Sequence, residues 1–275
     1  LPRPDVNDEW PQAGGYPNHA MHHLAASGPL ARQWSTDIGE GSSDEAQLLA
    51  QPVIAGGRIY TVDIDAEVSA FDQKSGNRLW RVELSKNDDN EGILGGGIAV
   101  SDGRVFATTG FADVVALDAQ TGKEIWRKRL SGPMRAAPTV WAGRVFAVTV
   151  ANELYALSAA WTESLTAIRR SDAVTAIAHI RGQPVIDRGI VYIVGNSNRT
   201  VAVDLRTGTR LWEVAVGGIH GAWVAGEFVY VVTRDAEVIC LTRRGGRVRW
   251  VAPLPRFEDE EDKTGPILWA GPVLA

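Results

Sequence analysis

Ala116-Leu117-Asp118-Ala119-Gln120-Thr121-Gly122-Lys123-Glu124-Ile125-Trp126 is one copy of a unit that recurs along the chain. The same marks stand at the same offsets from Ala70 to Trp80 and from Ala202 to Trp212, with a drifted copy from Cys240 to Trp250. A glycine lies four residues before each tryptophan (Gly76, Gly122, Gly208, Gly246). An aromatic (Tyr60, Phe106, Tyr192, Tyr230) lies ten residues before the small residue that opens each copy. A fifth copy, marked by Gly143, Phe146 and Ala156, begins in phase and loses its ending. A fixed period of this kind means that one supersecondary unit cannot bury its own apolar face, so neighbours must stack.

Each copy reads as four short antiparallel strands. Gly103-Arg104-Val105-Phe106-Ala107-Thr108-Thr109-Gly110 and Val114-Val115-Ala116-Leu117-Asp118 are rich in β-branched and aromatic residues and bounded by turn formers. Asp118 and Thr121 are suited to bond turn backbone, and Gly122 accepts positive φ. Glu124-Ile125-Trp126-Arg127 resumes a strand, and Ile98-Ala99-Val100 supplies the strand ahead of the pair. The small-residue anchors are spaced 46 (70 to 116), 40 (116 to 156), 46 (156 to 202) and 38 (202 to 240). Four strands in a period near 40–45 residues define a blade of an all-β propeller. The organisation predicted is an N-terminal lead-in over 1–33 and one propeller domain over 34–275, with about six blades wholly or partly represented. Two breaks in register predict that the ring is incomplete. After Ser158 the next tryptophan, Trp161, comes only three residues on, which places a missing segment near Ala160/Trp161. Gly265 to Ala275 opens a further blade and stops.

Composition narrows the function. The 275 residues carry a net charge of -5 with pI near 5.6, which gives no support to nucleic-acid binding. No apolar stretch approaches the roughly 18 residues that a spanning helix needs. The lone Cys240 occupies the small-residue slot of its copy and reads as a buried strand thiol.

The string Ala-x-Asp-x-x-Thr/Ser-Gly-x-x-x-Trp resembles the quinoprotein-type (PQQ-like) propeller repeat, in which the Trp packs between blades. Within that superfamily the chain is similar to the BamB-like outer-membrane assembly factors in their alphaproteobacterial form. The likeness is carried by Trp10-Pro11-Gln12-Ala13-Gly14-Gly15, His19-Ala20-Met21-His22-His23-Leu24, Gln183-Pro184-Val185-Ile186-Asp187-Arg188-Gly189 and Leu254-Pro255-Arg256-Phe257-Glu258-Asp259-Glu260-Glu261-Asp262. It implies an eight-bladed, non-enzymatic periplasmic scaffold without a cofactor. Such a scaffold binds the periplasmic domains of the central subunit of the β-barrel assembly machine, with unfolded outer-membrane proteins as a further candidate partner. It also implies attachment to the outer membrane by a lipid anchor that these residues do not include.

Chemistry hidden in the repeat is the alternative: a quinoprotein oxidoreductase or a small-molecule-binding propeller. A dehydrogenase of that type needs Ca²⁺ with carboxylate and amide ligands and commonly a vicinal Cys pair, and one Cys cannot form the pair. Asp72, Asp118 and Asp204 fall at turn positions, which explains them without catalysis. His19, His22 and His23 lack further preset zinc ligands nearby. Gly92-Ile93-Leu94-Gly95-Gly96-Gly97 lacks the Lys-Ser/Thr of a P-loop and reads as close backbone packing at the axis. Arg127-Lys128-Arg129 reads as solvated charge on an outer strand. The candidate partner-binding loops are Asp88 and Asp89, the lead-in from Arg169 and Arg170 through His179 and Arg181, and the acidic run Glu258, Asp259, Glu260, Glu261, Asp262.

Overall fold

Alternation of β-branched and aromatic residues with Gly-bounded turns gives the chain a meander in which each strand pairs with the next. A computed structural model describes residues 6–17, 25, 31–42, 48, 50–85, 95–151, 153–159, 169–171, 182–195, 198–218 and 220–272. Five four-stranded antiparallel sheets follow one another. The first holds β1 (Val53–Ala55), β2 (Arg58–Val62), β3 (Glu67–Asp72) and β4 (Arg78–Glu83). The second holds β5 (Gly96–Ser101), β6 (Arg104–Thr109), β7 (Asp113–Asp118) and β8 (Glu124–Arg129). The third holds β9 (Thr139–Trp141), β10 (Arg144–Val148), β11 (Leu154–Ser158) and β12 (Arg169–Ser171). The fourth holds β13 (Val185–Asp187), β14 (Ile190–Gly195), β15 (Arg199–Asp204) and β16 (Arg210–Val214). The fifth holds β17 (Trp223–Ala225), β18 (Phe228–Val232), β19 (Glu237–Thr242) and β20 (Val248–Pro253). A hairpin of β21 (Phe257–Asp259) and β22 (Thr264–Pro266) follows. The chain is an all-β propeller built of such blades.

Apolar side chains are buried between blades rather than in one central core. One cluster joins the first and second sheets through Val68, Ile98 and Leu117. Others join the second to the third, the third to the fourth and the fourth to the fifth. Inner strands touch in order, β1 on β5, β5 on β9, β9 on β13 and β13 on β17.

The tryptophans fasten this stack. Trp80, Trp126, Trp212 and Trp250 stand opposite Ala70, Ala116, Ala202 and Cys240 in the ladders. Each tilts against the aromatic of its own blade at 5.9–6.0 Å between ring centroids. The indole then reaches the next blade: Trp80 Nε1 donates to Ala119 O at 3.1 Å, Trp126 Nε1 to Ala159 O and Trp212 Nε1 to Arg243 O. A Cβ on Gly122 would lie 2.7 Å from Trp80 Cε3, and one on Gly246 would lie 2.6 Å from Trp212 Cε3. Trp34 does the same job at the front of the chain. It stacks on Gly76 and donates Nε1 to Gln73 O at 3.1 Å, although no preceding blade lies among the described residues.

Three local readings change. The copy marked by Gly143, Phe146 and Ala156 does not lose its fourth strand: β12 pairs with β11, and Arg169 stands opposite Ala156, where the other blades place Trp. Arg169 and Arg170 therefore lie in a sheet and not in a loop. Arg127 is not solvated: its guanidinium bonds Asp113 at 2.9 Å, Glu124 at 2.9 Å and Leu84 O at 3.0 Å, tying the second blade back to the first. The break near Ala160/Trp161 lies outside the described residues.

Candidate partner-binding surface and axial cavity

The aspartates of the repeat are turn formers. Asp118 Oδ1 accepts from Thr121 Oγ1 and N and from Gln120 N, all at 2.8–3.0 Å. Asp72 and Asp204 repeat the pattern with Ser75 and Thr207. Hydrogen bonds to the ionised form hold all three carboxyls below the usual range, from the Thr121 side chain first at Asp118 and from backbone N–H groups first at Asp72 and Asp204. In the drifted copy Thr242 Oγ1 accepts from Arg247 N. Cys240 is buried between strands, and that burial raises its thiol pKa, as expected of a packing residue.

The acidic run is structured. Glu258 and Asp259 belong to β21, and Glu260, Glu261 and Asp262 form the turn into β22. This corrects the loop expectation for Glu258 and Asp259, while Glu260, Glu261 and Asp262 remain in the connecting turn, and local bonding explains the order. Asp259 Oδ1 accepts from the N–H groups of Glu261 and Asp262 at 3.0 and 3.1 Å. Glu260 accepts from Arg256 N at 2.7 Å, and Trp269 Nε1 donates to Pro255 O beneath the hairpin. All five carboxylates are exposed, so the hairpin presents concentrated negative charge on a fixed support. Asp88, Asp89, His179 and Arg181 lie outside the described residues, as do His19, His22 and His23. Of the glycine run, Gly95, Gly96 and Gly97 are described. A Cβ on Gly96 would strike Thr108 O, and one on Gly97 would lie 2.8 Å from Ala137 Cα, so β5 packs backbone to backbone there.

The lead-in forms a strap across the blades. An inner strand has one free edge, whose N–H and C=O groups need partners. Trp10 exchanges both backbone bonds with Ile54 in β1, at 2.7 and 2.8 Å. Pro11 O accepts from Val100 in β5, and Pro17 O accepts from Ile186 in β13. For β9, the Gln12 side chain stands in for a strand, donating to Val140 O and accepting from Val140 N, both at 2.9 Å. Four consecutive blades are thus joined by eight residues, from 10 to 17. In the sequence this segment stands out only for its family likeness. The available signal was a Gln set between Pro11 and Ala13-Gly14-Gly15.

Beside the strap lies an axial cavity of about 440 Å³. Its walls include the residues just ahead of the inner strands, among them Arg135, Gln183 and His220, together with Trp10 and Trp223. Among the described residues no group of three His, Cys, Asp or Glu is placed to hold a metal ion. No helix there is long and apolar enough to cross a membrane.

Comparison with known proteins places these features. The family described as outer membrane protein assembly factor BamB matches residues 31–93, 65–160 and 158–252, most of the chain. The chain belongs to the BamB family. Outer membrane protein assembly factor BamB of Salmonella typhimurium is 26% identical over 116 residues, 42% of this chain and 28% of that protein. The chain therefore matches well under two thirds of that relative's length. Quinoprotein ethanol dehydrogenase of Pseudomonas putida is 34% identical over 79 residues, 25% of this chain and 13% of the dehydrogenase. The crystal structure of BamB from Moraxella catarrhalis superposes with a TM-score of 0.58 at 18% identity, covering 76% of this chain and 63% of that one. Quinohemoprotein alcohol dehydrogenase from Comamonas testosteroni gives 0.72 at 17% identity over 96% and 52%. At these identities the structural matches speak to fold.

Proposed function

We propose that this chain is a non-enzymatic scaffold of the outer-membrane β-barrel assembly machine, located in the periplasm and lipid-anchored to the outer membrane. In this reading it binds the periplasmic domains of the central barrel subunit and aids insertion of outer-membrane β-barrel proteins. The match of residues 31–252 to the BamB family carries the reading. The fold supports it: turns and inter-blade joints account for the repeat's polar residues, leaving exposed loops and the acidic hairpin free for contact. Candidate contacts are Asp88, Asp89, Arg169, Arg170, His179, Arg181 and the run Glu258 to Asp262. Charge on the hairpin would steer association with a basic partner surface and set its salt dependence.

The quinoprotein reading finds a weaker donor set. A Ca²⁺-held quinone needs several oxygen ligands including carboxylates, and no carboxylate is among the described residues lining the axial cavity. The test is surface-immobilised barrel-subunit periplasmic domains against the chain and its E261K/D262K variant. Binding should be saturable, with the variant showing a slower on-rate and a shallower salt slope. Absence of binding by the chain at every ionic strength would sink the scaffold proposal.

A further inference from the structure

We propose that the axial cavity is a binding site for a carboxylate carried on an apolar or aromatic body, with Arg135 as the anion-recognising group. The charge distribution is the first argument. The chain carries a net charge of -5, yet Arg135 is the one formally charged side chain among the described residues lining this cavity. No acidic residue is among them to neutralise it.

The second argument is satisfaction. Nε of Arg135 is buried and has no hydrogen-bond partner. Buried donors are ordinarily paired, so an unpaired guanidinium nitrogen on a residue that lines a cavity is a candidate contact for a ligand there. Other polar groups of the wall are already engaged. Gln51 accepts from Gly14 N, Gln183 donates to Ala13 O, and the His220 ring bonds Trp269 O. Among the described residues of this wall, Arg135 Nε is the buried donor left without a partner, and a guanidinium edge matches a carboxylate bidentately.

Preorganisation is the third. Met134 N donates to Thr109 O at 3.1 Å, and Ala136 O accepts from Thr108 Oγ1 at 2.7 Å. The backbone is therefore pinned on both sides of Arg135. The small residues Ala136, Ala137 and Gly96 line the space, and the aromatic residues Trp10 and Trp223 line it too. The cavity's volume of about 440 Å³ falls among small-ligand clefts.

Such a carboxylate can come from a free aromatic acid or from the C-terminus of a polypeptide. Calorimetric titration of the whole chain with N-acetylphenylalanine, N-acetylphenylalaninamide and a hexapeptide ending in a free phenylalanine carboxylate separates these. The acid should bind one to one, and its amide about tenfold or more weaker. Arg135→Gln should lose affinity for the acid by about the same factor with its thermal midpoint unchanged, and Arg135→Lys should fall between, keeping charge without the fork. Binding of the hexapeptide together with the acid supports the site and assigns it to chain ends. Binding of the acid alone supports it and assigns it to small molecules. Equal affinity for acid and amide, wild-type affinity in Arg135→Gln, or no heat from either carboxylate overturns the proposal. The acid–amide comparison needs only the unmodified chain, so it stands even if a variant fails to fold. This inference does not rest on the assembly role. A chain that captured the barrel subunit but ignored carboxylates would overturn the cavity site alone.

Discussion

A single glycine shows how tightly the repeat is specified. Gly122 has φ of 73° and faces Trp80, whereas Gly103 has φ of 70° and faces open space. Both demand left-handed backbone, so Gly103→Ala should cost about 1–2 kcal/mol from conformation alone. Gly122→Ala adds overpacking against an indole locked to Ala119 O, raising the loss by about another 1–3 kcal/mol. Urea midpoints of the two variants measure the difference, and equal losses would contradict the stacking role of Trp80. The turn aspartates give a pH prediction. Asp72, Asp118 and Asp204 have folded-state pKa values below the unfolded values. Their contribution is therefore present above the unfolded pKa, about 4, and is lost as pH falls through the depressed folded values. Replacing all three by Asn keeps an acceptor oxygen in each turn and removes the titration. Thermal midpoints of this variant should fall less steeply between about pH 5 and pH 2 than those of the parent. An unchanged acid limb would count against the turn carboxylates as its source.

At the scale of elements, blades are joined by side chains as well as by apolar contact. Arg243 in the fifth blade is almost wholly buried and meets Asp187 at the end of β13 at 2.7 Å, while its other arm reaches Gly226 O. Removing only the carboxylate with Asp187→Ala strands a buried guanidinium and should cost about 3–5 kcal/mol. Asp187→Ala with Arg243→Met should recover most of that loss, which a double-mutant cycle on chemical unfolding would read. A double variant as unstable as Asp187→Ala would show that the pair itself stabilises the joint. Much of this level was legible beforehand. The Ala–Trp offset of ten set the pairing of Ala70 with Trp80 and of Ala202 with Trp212, because period-two side chains fix which residues share a face. The bulge was not legible. In β4, β8 and β16 the residue before Trp (Leu79, Ile125, Leu211) has no ladder partner and turns outward, although it is apolar. Arg127 was misread because outer strands are usually solvated, and only the fold brings Leu84 O and Asp113 to it. Arg169 was missed as a strand residue because nothing in its sequence carries the Trp mark. Trp34 lies 46 residues before Trp80, the spacing of Trp80 to Trp126, and that signal was available. Arg135 carries no motif at all. Its lack of a partner is a property of the surrounding backbone, which only coordinates display.

At the scale of the molecule, repeat architectures draw stability from nearest-neighbour interfaces, so their blades can unfold separately. The strap adds a different kind of link. Residues 10–17 bond to β1, β5, β9 and β13, which lie up to 169 residues away along the chain, from Pro17 to Ile186. Gln12 is the middle stitch, and its replacement by Ala leaves the buried N–H and C=O of Val140 unpaired. That single change should cost about 1–3 kcal/mol. Deleting residues 1–17 removes all four links and bares four strand edges at once. The parent should unfold in one transition by far-UV circular dichroism and tryptophan fluorescence, because opening any of these blades breaks bonds to the strap. The deletion variant should show non-coincident transitions and a shallower apparent denaturant slope, as blades part from one another without a shared tether. Coincident transitions with an unchanged slope would mean that the inter-blade tryptophans alone hold the unit together, and that the strap adds no shared tether.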